Sequence, residues 1–336
     1  MKPKVSIIVP VYNAGVYLDA SIASLLGQSL KEIEIVIVND GSSDGTRNVI
    51  DRLANENEKI KAVHLPENMG VHEARIAGLK NVKSPWVGFL DSDDFAQSSM
   101  YESLYNKAVS ENVDIVVCGS YRVTPVRKII APKYRFKQSM KIETGIFERF
   151  CSFEFGTGSL CNKLYRRDII EVCQDMHFPW RQTINEDLLM NIRCFYRAQS
   201  VYLCQEMLHE YVLNPEGVTS TGFNTRSYVD TFRAAALAID MFSRLGLKEI
   251  SNVLDLYREQ LSWGGYCIES SGELLEYNDE LKEAVGLINQ SYPAALAMLS
   301  ARTQSRPDLK AFLKFFYRSL LMGFGLVNRE SRGNGN

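Results

Sequence analysis

The first 120 residues alternate apolar segments with amphipathic ones, and no other feature of the chain restricts the fold as strongly. Continuous apolar runs such as Val5–Val11 and Ile33–Val38 are typical of strands buried on both faces. The segment between them carries apolar residues at the spacing of one helical face: Leu18, Ile22, Leu25 and Leu26. Strands that alternate with helices form right-handed βαβ units. We therefore predict an α/β fold, with a Rossmann-like, mainly parallel mixed sheet flanked by helices.

Composition is that of an ordinary globular protein. The chain has 336 residues, 46% of them hydrophobic and 23% charged. A net charge of −2 gives no indication of a nucleic-acid partner. Seven cysteines without a Cys-x-x-Cys pair favour reduced thiols over a disulfide framework or a zinc site. The chain also lacks a signal-peptide pattern and an apolar run of about 18 residues. We expect a cytoplasmic protein without a membrane-spanning helix.

Three carboxylates follow the apolar segment Trp86–Leu90. The spacing of Asp91 and Asp93 puts both side chains on one side of the chain, where their oxygens can converge on a hard cation. Ligands of open parallel sheets bind beyond the carboxyl ends of the strands, which is where these residues lie. The alternative is an acidic turn that caps a helix beginning near Ser98.

Two further polar turns leave strands of the same predicted sheet. Asp40 ends the second strand before a Gly/Ser turn, where its carboxylate can accept hydrogen bonds from a base or a sugar. Helix capping is the competing explanation, but Asp44 or Thr46 can supply the cap without Asp40. Tyr12 ends the first strand and can stack on a base, although simple packing is more common for a lone tyrosine.

These turns carry a recognisable pattern. Residues 9–13 (Val-Pro-Val-Tyr-Asn), 38–46 (Val-Asn-Asp-Gly-Ser-Ser-Asp-Gly-Thr) and 89–94 (Phe-Leu-Asp-Ser-Asp-Asp) closely resemble the inverting family 2 glycosyltransferases with a GT-A fold. Asn68-x-Gly70 and Ala74-Arg75 match the same pattern, whereas Ile76 stands where the family often has Asn. The resemblance covers residues 4 to about 220, and the order and spacing of its motifs make it specific.

The resemblance implies a nucleotide-diphosphate sugar donor, usually UDP-linked, and a Mn²⁺ or Mg²⁺ cofactor. By the resemblance, Asp93 is the principal metal ligand and Asp91 contacts the ribose or the metal. The residues expected in the nucleotide-sugar site are Pro10, Tyr12, Asn13, Asp40, Asn68, Arg75, Asp91 and Ser92.

The segment Asn185-Glu186-Asp187 precedes a predicted helix. Acids in a first helical turn complement the helix dipole and need no catalytic role. An inverting transfer, however, needs a carboxylate base on the face of the sugar opposite the leaving diphosphate. The Glu-Asp pair matches the base motif of the family, which implies that Asp187 is the base, with Glu186 beside it.

We expect a GT-A domain over residues 1–222, with a donor half to about 120 and an acceptor half after it. Residues 121–141 alternate apolar and basic side chains and look like an excursion that shapes an acceptor site. Residues 223–336 are predicted to be helical. The last helix, within 307–327, is basic and amphipathic. It fits either packing on the acidic residues of 224–300 or binding to an anionic membrane surface.

The sequence therefore predicts a metal-dependent inverting glycosyltransferase that acts on a glycan or lipid-linked glycan, as in surface polysaccharide biosynthesis. It would work in the cytoplasm or peripherally on the inner face of the plasma membrane. A non-catalytic nucleotide-sugar-binding scaffold is one alternative. A haloacid-dehalogenase-type phosphotransferase is a weaker one, because its acidic motif usually opens the domain. Donor sugar, acceptor, linkage and oligomeric state are left open by the sequence.

Overall fold

In a computed structural model of the protein, a ten-stranded mixed sheet organises residues 5–212. The structure describes residues 2–213, 225–262 and 276–301. Contacts divide the chain into two compact units, Met1–Thr221 and Gly222–Asn336. The strands are β1 (Val5–Val11), β2 (Ile33–Asn39), β3 (Ile60–His64), β4 (Trp86–Phe89), β5 (Phe95–Ala96), β6 (Ile115–Val123), β7 (Ile129–Tyr134), β8 (Met140–Ile142), β9 (Lys163–Arg166) and β10 (Val201–Val212).

Seven helices accompany these strands in the first unit. They are α1 (Gly15–Leu26), α2 (Thr46–Glu56), α3 (Val71–Leu79), α4 (Met100–Ser110), α5 (Ile146–Cys151), α6 (Arg167–Ile170) and α7 (Glu186–Arg197), with a 3-10 turn at Glu171–Cys173. The six cysteines of this unit are buried thiols. The predicted α/β fold is confirmed.

The parallel part of the sheet places the predicted motifs together. The strand order is β3-β2-β1-β4-β9-β6-β10-β5, and β1 pairs in parallel with both β2 and β4. Every residue of β1 is buried, which explains its continuous rather than alternating apolar pattern. Helix α3 packs so close to β1 that a Cβ on Gly78 would lie 2.4 Å from Ile8 Cγ2. The carboxyl ends of β1, β2 and β4 therefore share one edge.

The acceptor half is less regular than the donor half. Strand β9 lies antiparallel between β4 and β6, whereas β6 and β10 are parallel. Strand β6 runs from Ile115 to Val123 and so extends into the predicted excursion. The chain then turns back as β7 along β6, and β8 pairs with β10. The predicted excursion of 121–141 is thus a hairpin followed by a short strand.

The described part of the second unit is helical, as predicted. It consists of α8 (Thr225–Phe242), α9 (Leu247–Ser262), α10 (Asn278–Ser291) and α11 (Ala294–Ala301). Arg233 of α8 pairs with Glu280 and Glu283 of α10. The predicted helix within 307–327 lies outside the described residues. In the part of the chain that the structure describes, no helix has the length and apolar character needed to span a bilayer.

Candidate active site

A cleft of about 280 Å³ opens at the carboxyl ends of β1, β2 and β4. Six of the eight residues predicted to bind a nucleotide sugar line it: Pro10, Tyr12, Asp40, Asn68, Asp91 and Ser92. The beginning of α3 and residues 181–183 complete the wall. The shared strand edge therefore brings most of the predicted donor site together.

Asp40 fixes the loop that leads into α3. Its side chain is buried, and its two carboxylate oxygens accept hydrogen bonds from the backbone N–H groups of Met69 and Gly70, each at 2.8 Å. At the next position, Gly41 has φ +63, and a Cβ there would lie 2.2 Å from the carbonyl carbon of Glu67. Only glycine fits such a close approach. Asp40 consequently shapes the wall of the cleft as well as lining it.

The two residues after β1 have different surroundings. The Tyr12 side chain is 47% exposed and lines the cleft, so its ring is available for stacking. Asn13 adopts φ 48, its backbone N–H donates to Ser42 Oγ at 3.0 Å, and its Oδ1 accepts from the Ser43 N–H at 2.9 Å. Asn13 does not line the cleft, and instead ties the turn after β1 to the turn after β2.

Asp94 anchors the acidic turn after β4. Its Oδ1 accepts from the Val212 N–H at 2.9 Å, and its Oδ2 lies 3.0 Å from His209 Nε2. His209 Nδ1 lies 3.0 Å from Ser120 Oγ, so the imidazole ring is held between the Asp94 carboxylate and the Ser120 hydroxyl. Cys161 comes within 4.8 Å of Asp94 and His209, but burial raises the pKa of its thiol well above the usual value. That shift opposes metal binding by a thiolate, and the group is better explained as a buried hydrogen-bonded anchor.

Asp93 has no ion-pair partner among the described residues and is only partly buried. Burial and the neighbouring carboxylates of Asp94 and Asp91 raise the pKa of Asp93 to about 7. A divalent cation would offset this repulsion, and carboxylate oxygens are the ligands that Mg²⁺ and Mn²⁺ prefer. Such ions commonly take one or two protein carboxylates and complete their shell with substrate phosphates. The residues present therefore fit a hard divalent metal.

Arg75 of α3 joins the acidic turn to the acidic pair of α7. Its guanidinium is 4% exposed, and it donates to Asp91 Oδ1 at 3.0 Å and to Glu186 Oε1 at 2.7 Å. Burial alone would lower the pKa of Arg75, but the carboxylates of Asp91, Glu186 and Asp187 raise it, so the side chain stays cationic. Arg75 does not line the cleft. A direct contact between Arg75 and the donor therefore stays a prediction. In the structure, Arg75 bridges Asp91 and Glu186.

Glu186 and Asp187 begin α7, directly after Asn185 in a left-handed conformation with φ 68. Glu186 is buried against Arg75, and burial together with the charge of Asp187 raises its pKa to about 7. Asp187 is partly exposed, its Oδ1 accepts from the Leu188 N–H at 2.7 Å, and burial raises its pKa. Of the two carboxylates, Asp187 is thus the more exposed one, and it has no hydrogen bond to Arg75 among the described contacts, whereas Glu186 does.

Comparison with known proteins decides the family. The sequence model described as Glycosyl transferase family 2 matches residues 6–173, half of the chain. The chain belongs to glycosyl transferase family 2. The resemblance inferred from the strand-end motifs is thereby confirmed. The Bacillus subtilis (strain 168) protein described as "Uncharacterized glycosyltransferase EpsJ" is 31% identical over 227 residues, which cover 65% of this family 2 chain and 64% of EpsJ.

Solved structures share the fold of this family 2 protein. S. aureus TarS 1–349 in complex with UDP-GlcNAc is similar with a TM-score of 0.68 and 20% identity, covering 95% of this chain and 88% of TarS 1–349. The mannosyltransferase PcManGT from Pyrobaculum calidifontis, in complex with GDP-Man and Mn²⁺, has a TM-score of 0.53 and 16% identity, covering 96% of this chain and 87% of its own. At these identities the similarity establishes a common fold.

Two lysines near the acids of this family 2 protein received no role in the sequence analysis. Lys163 of β9 is fully buried and donates to the carbonyl oxygens of Thr157 and Ser159 and to Asn162 Oδ1, while burial lowers its pKa to about 8. Lys163 is the first residue of β9, whose sequence Lys-Leu-Tyr-Arg has basic residues at both ends, so no sequence pattern signalled its burial. Lys133 of β7 has its ammonium 3.3 Å from the centre of the Tyr211 ring.

Residues 181–183 are the other part of the family 2 site that sequence reasoning missed. Arg181 Nη2 donates to Asn68 Oδ1 at 2.7 Å, and Gln182 Nε2 donates to the Ile184 carbonyl at 2.6 Å. The segment has no regular secondary structure, so periodicity gives no signal. Its position between the cleft and Asp187 is visible only in three dimensions.

Proposed function

We propose that this protein is an inverting glycosyltransferase that moves a sugar from a UDP-linked donor to a hydroxyl of a glycan or lipid-linked glycan. The Arg75 bridge is the observation that carries the proposal. One guanidinium contacts Asp91 of the donor turn at 3.0 Å and Glu186 of the acidic pair at 2.7 Å. The candidate base next to Glu186 is therefore close to the donor turn. Family membership and the UDP-GlcNAc complex of TarS support this choice of reaction and donor.

The nucleoside of the donor fits the cleft between the turns after β1 and β2. Tyr12 offers an exposed ring for stacking on the base. Asp40 and Asn68 also line the cleft and add polar groups to it, with Asn68 oriented by Arg181. Pockets of this kind combine an apolar lining with a few fixed polar groups that determine orientation.

Asp93, with Asp91, would hold Mn²⁺ or Mg²⁺. The cation would supply charge stabilisation for the departing diphosphate. The uncompensated carboxylate of Asp93 supports this assignment, as does the Mn²⁺ complex of the structurally similar PcManGT.

Asp187 is the proposed base. It accepts the proton of the acceptor hydroxyl while the hydroxyl oxygen bonds to the anomeric carbon and the bond from that carbon to the diphosphate oxygen breaks. The nucleoside diphosphate leaves with the bonding electrons, and attack from the opposite face inverts the configuration. A raised carboxyl pKa suits this role, because bases work best when their pKa lies near the working pH.

Thermal unfolding with a panel of nucleotide sugars, with and without Mn²⁺, tests the donor assignment. A ligand at 100 times its dissociation constant stabilises a protein by about 2.7 kcal/mol. We expect stabilisation by a UDP-sugar that depends on Mn²⁺, followed by donor hydrolysis or transfer. Stabilisation without any hydrolysis or transfer would favour the non-catalytic scaffold instead.

A further inference from the structure

Residues 121–142, here named the basic hairpin, carry seven basic residues and no acidic one. Two of the seven are paired: Arg127 with Glu210 at 2.7 Å, and Lys141 with Glu143 at 2.8 Å. The other five have no ion-pair partner in the described part of the chain: Arg122, Lys128, Lys133, Arg135 and Lys137. Positive charge that has no ion-pair partner among the described residues raises the local concentration of negatively charged ligands.

The inner end of the basic hairpin lies next to the proposed active site. Lys133 is half-buried over the ring of Tyr211, and no hydrogen bond to its ammonium is present among the described residues. Burial lowers its pKa, while the carboxylates of Asp94, Asp187 and Asp91 act in the opposite direction. On β7, Lys133 precedes Tyr134, which pairs with Ser120 of β6, and Ser120 Oγ contacts the His209 ring that holds Asp94. The pairing places a cation, with no hydrogen bond among the described residues, on the acceptor side near the acidic turn.

We propose that the basic hairpin binds an anionic acceptor, a glycan chain that carries phosphate or carboxylate groups. Lys133 contacts the anionic group nearest the reacting hydroxyl, and Arg122 and Lys128 contact groups farther along the chain. The inference rests on the proposed function and narrows its acceptor. A site with several carboxylates repels an anionic substrate, and cations along the approach offset that repulsion.

A membrane surface is the competing occupant of the basic hairpin. Val126, Ile129 and Ile130 are 84%, 52% and 51% exposed, and exposed apolar residues among cations are typical of interfacial segments. A flat bilayer, however, cannot reach a half-buried lysine beside the catalytic acids, whereas a chain that enters the site can. The position of Lys133 therefore favours a glycan.

Fluorescence anisotropy with labelled oligosaccharides tests the proposal on the full chain. The probes are an oligogalacturonate, a phosphorylated maltooligosaccharide and the neutral maltooligosaccharide of the same length. We expect the wild type to bind at least one anionic probe, to bind the neutral one more weakly, and to lose affinity with added salt. The two anionic probes separate carboxylate from phosphate recognition.

Matched variants locate the binding surface. Arg122→Gln/Lys128→Gln should weaken binding of the anionic probe by about fivefold for each charge removed, the size expected for an exposed contact pair. Lys80→Gln/Lys83→Gln removes the same charge from exposed positions outside the hairpin and should change affinity less than twofold. Lys133→Met keeps the side chain's length and should lower affinity at least as much as the double variant. Lys133→Arg should restore most of the affinity.

Three results would overturn the inference. They are equal binding of anionic and neutral probes, an equal loss in the Lys80/Lys83 control, and binding to phosphatidylglycerol vesicles without binding to either anionic oligosaccharide. Hydrolysis of UDP-sugars by the wild type is measured separately. Absence of hydrolysis and transfer with every donor would refute the proposed function, whereas hydrolysis with equal probe binding would refute only the anionic acceptor.

Discussion

Replacing Arg75 with methionine tests the bridge between the acidic turn and α7. The substitution removes one charge that serves two carboxylates. Breaking a buried pair by removing one partner costs about 3–5 kcal/mol, because the remaining charge is left uncompensated. The Glu186 side chain is 9% exposed but that of Asp91 is 38% exposed, so water can partly solvate only Asp91. We therefore expect a loss of about 3 kcal/mol in the free energy of unfolding at neutral pH, the lower end of that range.

The loss should depend on pH in a defined direction. Without the guanidinium, the folded-state pKa of Glu186 moves further above its ordinary value of 4.5. The folded protein then retains a proton that the unfolded chain releases, so its stability falls as pH rises above that value. Urea denaturation at pH 5 and pH 8 measures both quantities. The difference between Arg75→Met and the wild type should be larger at pH 8.

Arg52→Met is a matched control. Arg52 also contacts two carboxylates, Asp19 at 2.6 Å and Glu56 at 3.0 Å, but its side chain is 46% exposed. Ion pairs between exposed side chains are screened by water and contribute little to stability, so this variant should lose much less stability than Arg75→Met. In addition, Arg75→Met combined with Glu186→Gln should recover part of the loss, because the uncompensated charge is removed. Equal losses in the two single variants, or a pH-independent loss for Arg75→Met, would refute the reasoning.

The remaining predictions concern the metal, the base, the donor loop and the C-terminus. Asp93→Asn should abolish Mn²⁺-dependent stabilisation by the donor while the fold survives, and unchanged stabilisation would exclude Asp93 from the metal site. Asp187→Asn should reduce the rate of sugar transfer by roughly 10²–10⁴-fold while donor affinity stays near normal, and a fully active variant would exclude Asp187 as the base. NMR of the glycoside made by the wild type should show the inverted anomeric configuration. Asp40→Ala should weaken donor binding and lower the free energy of unfolding by about 1–3 kcal/mol, because the backbone N–H groups of Met69 and Gly70 lose their acceptor. Calorimetry measures the donor affinity and urea denaturation the stability. Unchanged values of both would contradict the role of Asp40 in shaping the donor loop. If residues 307–327 form an interfacial helix, the protein should sediment with anionic liposomes, and added salt should release it from them. A wild-type protein that does not sediment with liposomes would contradict this prediction.

The donor half was predictable because its signals are local. Each strand-end motif is a continuous stretch of residues, and parallel topology places all such stretches at one edge of the sheet. Asp40, Asp91 and Asp93 could therefore be singled out before any coordinates existed. The family and the fold are confirmed, while the role of each site residue stays a prediction.

The contacts that organise the site were not predictable, because they join distant parts of the chain. Arg75 and Glu186 are 111 residues apart, and Asp94 and His209 are 115 apart. No periodicity relates such residues. The pairing of β5 with β10, for example, sets His209 opposite Ala96 and so brings it to Asp94. The position of Lys133 could not be predicted for the same reason, because the pairing of β6 with β7 brings it towards the acidic turn.

The anchoring of Asp94 has a consequence for cation capture. Both of its oxygens are engaged, by His209 and by the Val212 N–H, so the acidic turn is fixed when the sheet folds. A binding site that is already ordered loses less conformational entropy when its ligand arrives. The backbone at Asp93, one residue before Asp94, therefore loses its conformational freedom during folding and not when the cation binds. Loosening β10 at His209 should therefore lower affinity for the cation mainly through entropy, although His209 itself is not a proposed ligand.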